Sequence, residues 1–101
     1  MKVIFHDEHL GMLAEKQATG KSKFPTEVII SFRKKLAFIR AAGSTQDLRK
    51  MSSLHFEKLT EKKYLGMYSI RLNRSYRLIL SIDNEDNLEI IIIEEINNHY
   101  S

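Results

Sequence analysis

The chain has 101 residues, of which 43% are hydrophobic and 29% charged, with a net charge of +3 and no cysteine. This composition predicts one globular domain over residues 1–101, and it excludes a disordered chain, a disulfide framework and a thiolate metal site. The longest apolar run, Ile90 to Ile93, falls far short of the ~20 residues a membrane helix needs, and the N-terminal MKVIFHDEH turns acidic too soon for a signal peptide, so the expectation is a cytosolic protein without a membrane partner.

Lys2 to Phe5 reads as a short strand. Asp7 and Glu8 cap a helix predicted over residues 8–18, because acidic groups favour a helix N-terminus. Thr19-Gly20-Lys21-Ser22 is a break, with Gly20 a helix C-cap. It echoes the end of a phosphate loop but lacks the upstream glycine and the strand placement such a loop needs. Pro25 suits the first turn of a second helix, whose buried stripe is Ile29, Phe32, Leu36 and Ile39 and whose other face carries Arg33, Lys34, Lys35 and Arg40. Ala41-Ala42-Gly43 ends this helix, and residues 44–50 form one further short turn.

The period then changes. Tyr68, Ile70 and Leu72 alternate with Ser69 and Arg71. Tyr76, Leu78, Leu80 and Ile82 alternate with Arg77, Ile79 and Ser81. These are two strands of period two. Asn73-Arg74-Ser75 is the turn between them, with asparagine suited to positive φ. Residues 83–87 form a second turn, and residues 88–96 a strand apolar on both faces, as expected inside a sheet. Two helices followed by a meander predict an α+β domain with helices on one sheet face.

Charge is unevenly spread. Residues 1–20 hold two basic and three acidic residues, residues 21–77 fourteen and four, and residues 78–101 none and six, giving segment charges of −1, +10 and −6. The middle segment suits either an anionic partner, nucleic acid above all, or a solvated helix face. Register sharpens the choice. Keeping Ile70, Leu72, Tyr76 and Leu78 on one face requires an odd connection, which pairs Leu72 with Tyr76 and Arg71 with Arg77. Two opposed arginines repel, unless an anion binds between them or both extend into water.

Leu54-His55-Phe56-Glu57-Lys58-Leu59, Tyr68-Ser69-Ile70-Arg71-Leu72-Asn73, Tyr76-Arg77-Leu78-Ile79-Leu80 and a final strand ending near His99 resemble the RelE/ParE toxin superfamily, most closely its HigB-like branch of plasmid-maintenance killer toxins. The resemblance covers the whole chain and is strongest over residues 54–80. It implies a β-α-α-β-β-β fold, with a short N-terminal strand and two helices on a mainly antiparallel sheet. It also implies an endoribonuclease that cuts mRNA on the ribosome without a cofactor, and neutralisation by a cognate antitoxin, of a helix-turn-helix, HigA-like kind, in a hetero-oligomer. The family's catalytic histidine and lysine fall on His55 and Lys58, its arginine on Arg77 and its terminal histidine on His99. Arg71, Arg74, Lys62 and Lys63 are the expected RNA-phosphate contacts, although the two lysines equally suit a solvated loop. The chain differs from many relatives in reading Asn97-Asn98-His99-Tyr100 where they end in Asp-Tyr-His, and in a longer loop over residues 60–65.

Metal-free RNA cleavage uses the neighbouring 2′-hydroxyl as nucleophile. It needs a base, charge stabilisation at the phosphorane and an acid for the departing 5′-oxygen. Arginine stays protonated, so Arg71 and Arg77 serve only to clamp charge. His55 and His99 are the two candidate proton carriers by residue type. A lysine at position 58 can stabilise charge directly, and lysines act as bases only where burial or neighbouring cations lower their pKa. His6 and His9 make a poor metal site, because two nitrogens lack a further ligand set. Two other readings stay open: a ParE-like gyrase inhibitor without nuclease chemistry, and an inactive RNA- or antitoxin-binding module.

Overall fold

The computed structural model describes residues 1–15 and 23–98. The order of elements is β1 (Lys2–Phe5), α1 (Glu8–Ala14), α2 (Thr26–Ala41), α3 (Thr45–Lys50), β2 (Glu57–Lys58), β3 (Tyr68–Arg71), β4 (Tyr76–Glu85) and β5 (Leu88–Asn98), with short 3-10 turns at Ser52–Leu54 and Lys62–Tyr64. The strands form one five-stranded sheet in the order β1-β5-β4-β3-β2, antiparallel throughout except for the parallel β1–β5 pair. The α+β class and the helix-covered sheet agree with expectation. The two-residue β2 is an additional strand at the sheet edge.

Asp7 caps α1, its carboxylate accepting from the Leu10 amide at 2.9 Å. The helix described ends at Ala14 with Glu15 as its C-cap, and the expected break at Thr19-Gly20-Lys21-Ser22 lies outside the described residues. In α2, Val28 takes the first buried position in place of Ile29, followed by Phe32, Leu36 and Ile39. Ile29 is half-buried and packs at the margin of the core. These residues meet Leu10, Leu13, Ile70, Leu78, Leu80, Ile91, Ile93 and Ile96 in one core between helices and sheet. Arg33 is not a free surface cation: its Nε donates to the Leu13 carbonyl at 2.7 Å and ties α2 to the end of α1.

The β4–β5 turn is tighter than expected. Both strands run on until Glu85 faces Leu88. Asp86 and Asn87 alone make the turn, with φ of 50° and 68°, the two-residue geometry whose twist matches that of the strands. Farther along, Leu80 faces Ile93 while Ile79 faces Glu95. Glu94 is therefore an extra residue in β5. This bulge lets Ile93 and Ile96, three residues apart, face the same core.

The opposite sheet face is covered in part by the β2–β3 connection. Leu59 and Tyr64 from that segment pack on Ile79, which is fully buried. A strand position that alternation alone assigns to the polar face thus forms a small second core. Among the described residues no helix is long and apolar enough to cross a membrane.

Candidate functional site

Arg71 and Arg77 are cross-strand partners on β3 and β4, as the hairpin register predicted. The turn between them is fixed differently from expectation. Asn73 does not take positive φ. Its side-chain oxygen instead accepts from the backbone amides of Ser75 and Tyr76 at 2.9 and 2.8 Å, an Asx-type closure. Two contacts anchor the turn to α2: Ser31 donates to the Leu72 carbonyl at 2.7 Å, and the Asn73 amide donates to Glu27 at 3.0 Å. The arginines therefore project from a braced hairpin.

Strand β2 borders this hairpin, with Glu57 opposite Ser69 and Lys58 opposite Tyr68. Alternation places Glu57 on the face shared by Ser69, Arg71 and Arg77, and Lys58 on the other. His55 precedes β2 in the left-handed region, with φ of 49°. That conformation is uncommon for a residue with a Cβ and re-aims the chain between the 3-10 turn and the strand. The result is a concavity lined by His55, Glu57, Arg71, Asn73, Arg74 and Arg77, with Ser69 and Tyr76 completing it. Four of the predicted residues come together here: His55, Arg71, Arg74 and Arg77. Lys58, Lys62 and Lys63 do not line it; the last two are exposed in the 3-10 turn of the β2–β3 connection. His99 lies outside the described residues.

Arg77 is the most constrained of the cations. Its two terminal nitrogens each donate to a Glu61 oxygen at 2.8 Å, and its Nε donates to Asn97 Oδ1 at 3.2 Å. Its guanidinium also lies 5.5 Å from the centroid of the Tyr64 ring. The bidentate bond to Glu61 raises the Arg77 pKa above its ordinary value despite partial desolvation, and the charges of Glu61, Tyr64 and Glu57 add to this. The Tyr64 ring is buried, and among the described residues its hydroxyl meets no acceptor in full hydrogen-bond geometry, although the Glu95 carboxylate lies close by. Burial and the nearby Glu95 carboxylate push that phenol's pKa up.

Behind the concavity, Phe56 stacks on Tyr68 with centroids 5.3 Å apart, and Arg49 caps both rings at 5.2 and 5.7 Å. This layer supports β2 and β3 from the helix side.

Two residues at the site, Glu57 and Glu61, were not singled out from the sequence, and Asn97 stood out only as a departure from relatives. Glu57 brings a carboxylate to the arginines; its position two residues after His55 was the available signal, since a turn at His55 followed by a strand puts both at one place. Glu61 and Asn97 hold Arg77 from sixteen and twenty residues away, separations that no local pattern encodes. Among the described residues no group of three or more histidine, cysteine or acidic side chains could hold a metal ion.

The chemistry available is that of an anion site: one anchored guanidinium, that of Arg77, and two exposed ones, with a histidine and a carboxylate as proton-carrying residue types, on a braced hairpin. The model of the family described as "RelE-like toxin of type II toxin-antitoxin system HigB" matches residues 3–94. An uncharacterized protein of Haemophilus influenzae is 34% identical over 82 residues, covering 81% of this chain and 79% of that protein. Among solved structures, the YoeB-YefM complex from Staphylococcus aureus aligns over 99% of this chain and 98% of its own, with a TM-score of 0.59 and 22% identity. The YoeB/ParE toxin from Agrobacterium tumefaciens aligns over 99% and 100%, with a TM-score of 0.56 and 9% identity.

Proposed function

From the premise that this chain belongs to the HigB family of RelE-like toxins of type II toxin–antitoxin systems, we propose that it is a metal-independent endoribonuclease that cleaves mRNA on the ribosome and is neutralised by a cognate antitoxin. The observation that carries this reading is the concavity itself, where His55, Glu57, Arg71, Arg74 and Arg77 converge. Arg77 and Arg71 stabilise the pentavalent phosphorane, in which charge builds on the non-bridging oxygens. Arg74, at the tip of the turn, steers the flanking phosphate. Glu57 or His55 takes the 2′-hydroxyl proton, and a histidine, His55 or His99, returns one to the 5′-oxygen. Lys58, on the other face of β2, is assigned no proton; it serves as a charge at the edge of the RNA path. The two exposed lysines of the β2–β3 connection, Lys62 and Lys63, meet the RNA backbone. This sparse proton-transfer set suits an enzyme whose substrate is arranged by the ribosome, and the activity is cytoplasmic.

The antitoxin reading draws on the family, and on the solved neighbour being a YoeB-YefM complex. An acidic, partly disordered antitoxin segment matches the +10 middle of the chain.

Mapping RNA 5′ ends after brief induction tests the proposal. New ends inside translated frames, absent when a cognate antitoxin is co-expressed, are the expected result. Growth arrest without new ends would favour a binding-only mode such as gyrase inhibition.

A further inference from the structure

We propose that Glu61 is a selectivity gate on Arg77. Its carboxylate occupies the anion position of that guanidinium and yields it to a phosphodiester already held through a neighbouring phosphate on Arg71 and Arg74. The inference rests on reading the concavity as a phosphodiester site.

The geometry of the clasp is that of a phosphate contact. A carboxylate and the two non-bridging oxygens of a phosphodiester present the same fork to a guanidinium. Glu61 fills that fork with both oxygens at 2.8 Å, so the edge of Arg77 that would meet phosphate is taken. The remaining contacts of Arg77, to Asn97 and the Tyr64 ring, hold the guanidinium from other sides and need not change.

The two partners differ in how far they are exposed. The Arg77 side chain is 12% exposed and that of Glu61 49%, so the carboxylate is the member that water and solutes reach. Glu61 sits between two anchors, Leu59 and Tyr64, both packed on Ile79. Residues 60–63 are exposed throughout. The Glu61 side chain can turn toward solvent while its backbone, whose carbonyl accepts from the Tyr64 amide at 3.0 Å, stays in place over the small core.

Charge decides what displaces it. One phosphodiester carries the same single negative charge as Glu61 and enjoys no Coulomb advantage. Arg71 and Arg74 are exposed and form no ion pair among the described residues, so a polyanion docks there first. Its next phosphate is then delivered to Arg77 at an effective concentration in the millimolar range or above. The gate thus rejects isolated anions and admits a polynucleotide backbone.

The test uses the full chain and two probes lacking the 2′-hydroxyl, so that nothing is cleaved: a deoxydinucleotide with one phosphodiester and a deoxyhexanucleotide. The readout is the Nε–Hε resonances of Arg71 and Arg77. In the parent, the hexanucleotide should shift both resonances and the dinucleotide only that of Arg71. In Glu61→Gln, both probes should shift both, and hexanucleotide affinity should rise about 3- to 10-fold, the scale of a partly exposed bidentate pair. Glu61→Asp, too short for the fork, should behave in between and carries the test if the glutamine variant does not fold. A dinucleotide that moves Arg77 equally in parent and variants overturns the gate and leaves the phosphate site standing. So does a hexanucleotide that moves Arg71 but never Arg77 in the parent, which would make Glu61 a permanent structural ligand. If neither probe moves either arginine in any protein, the gate and the site reading fall together.

Discussion

Arg71 and Arg77 face each other across β3 and β4 with like charge, and their surroundings differ sharply. Arg77 is drawn toward Glu61, Asn97 and the Tyr64 ring, whereas Arg71 is exposed and without an ion pair among the described residues. A like-charge cross-strand pair costs only a few tenths of a kcal/mol, and the Glu61 carboxylate on one member offsets it. The pair consists of one anchored guanidinium and one that is open to a ligand.

Replacing Arg77 tests both halves of that arrangement. Arg77→Ala is expected to lower RNA cleavage by ~10²–10³, the effect of removing one preorganised charge donor. Position 77 as a polar strand residue suggests an unaffected fold, but its contacts revise this. Loss of the Glu61 clasp and of the cover on Tyr64 should cost about 1–2 kcal/mol, read as a lower urea midpoint. Full toxicity of this variant at equal expression would rule out the nuclease mechanism proposed above.

Tyr64 gives a prediction of the opposite sign. Its ring packs on Ile79, and among the described residues its buried hydroxyl meets no acceptor in full hydrogen-bond geometry, Glu95 lying nearby. Tyr64→Phe keeps the ring and removes a desolvated polar group, so stability should stay level or rise by up to ~1 kcal/mol in urea unfolding. A loss larger than that would show that the hydroxyl contributes a bond.

Glu89 supplies a pH signature distant from the site. It accepts from the Thr45 amide at 2.8 Å and from the Thr45 hydroxyl at 2.7 Å. These bonds, with a contribution from Arg49, hold its pKa below the ordinary carboxylate value of 4.5 against the opposing effect of desolvation. A depressed folded pKa stabilises the fold above the unfolded value, and that stabilisation is lost as pH falls through the folded one. Parent and Glu89→Gln should therefore differ by about 1–3 kcal/mol at neutral pH, a difference that begins to shrink near the unfolded value of ~4.3 and closes only below the depressed folded one. A difference that persists unchanged into acid would contradict this.

How much of this was legible beforehand depended on the range of the interaction. The facing of Arg71 and Arg77 followed from alternation and loop length, because both are set within a few residues. The α2 stripe was misplaced by one residue at its start, where Val28 and Ile29 are equally apolar and only the neighbouring elements choose. Alternation assigned Ile79 to a polar face, and it is buried because the β2–β3 connection folds back over it. The Glu94 bulge was hidden for a related reason: in an unbroken apolar run such as Ile90–Ile93, period two leaves no trace of a slip. The site's histidine and arginines were recognisable by type and neighbourhood, while Glu61 and Asn97 reach Arg77 only through the tertiary fold.

The parallel pairing of β1 with β5 also governs the order in which the molecule assembles. Lys2–Phe5 hydrogen-bonds to Ile90–Ile93, so the first strand to be synthesised has no partner until the last has been made. Such long-range closure slows folding, and domains that depend on it finish late in synthesis or after it. Because Asn97, on the same late strand, holds Arg77, a growing chain lacks a complete arginine clasp for most of its synthesis.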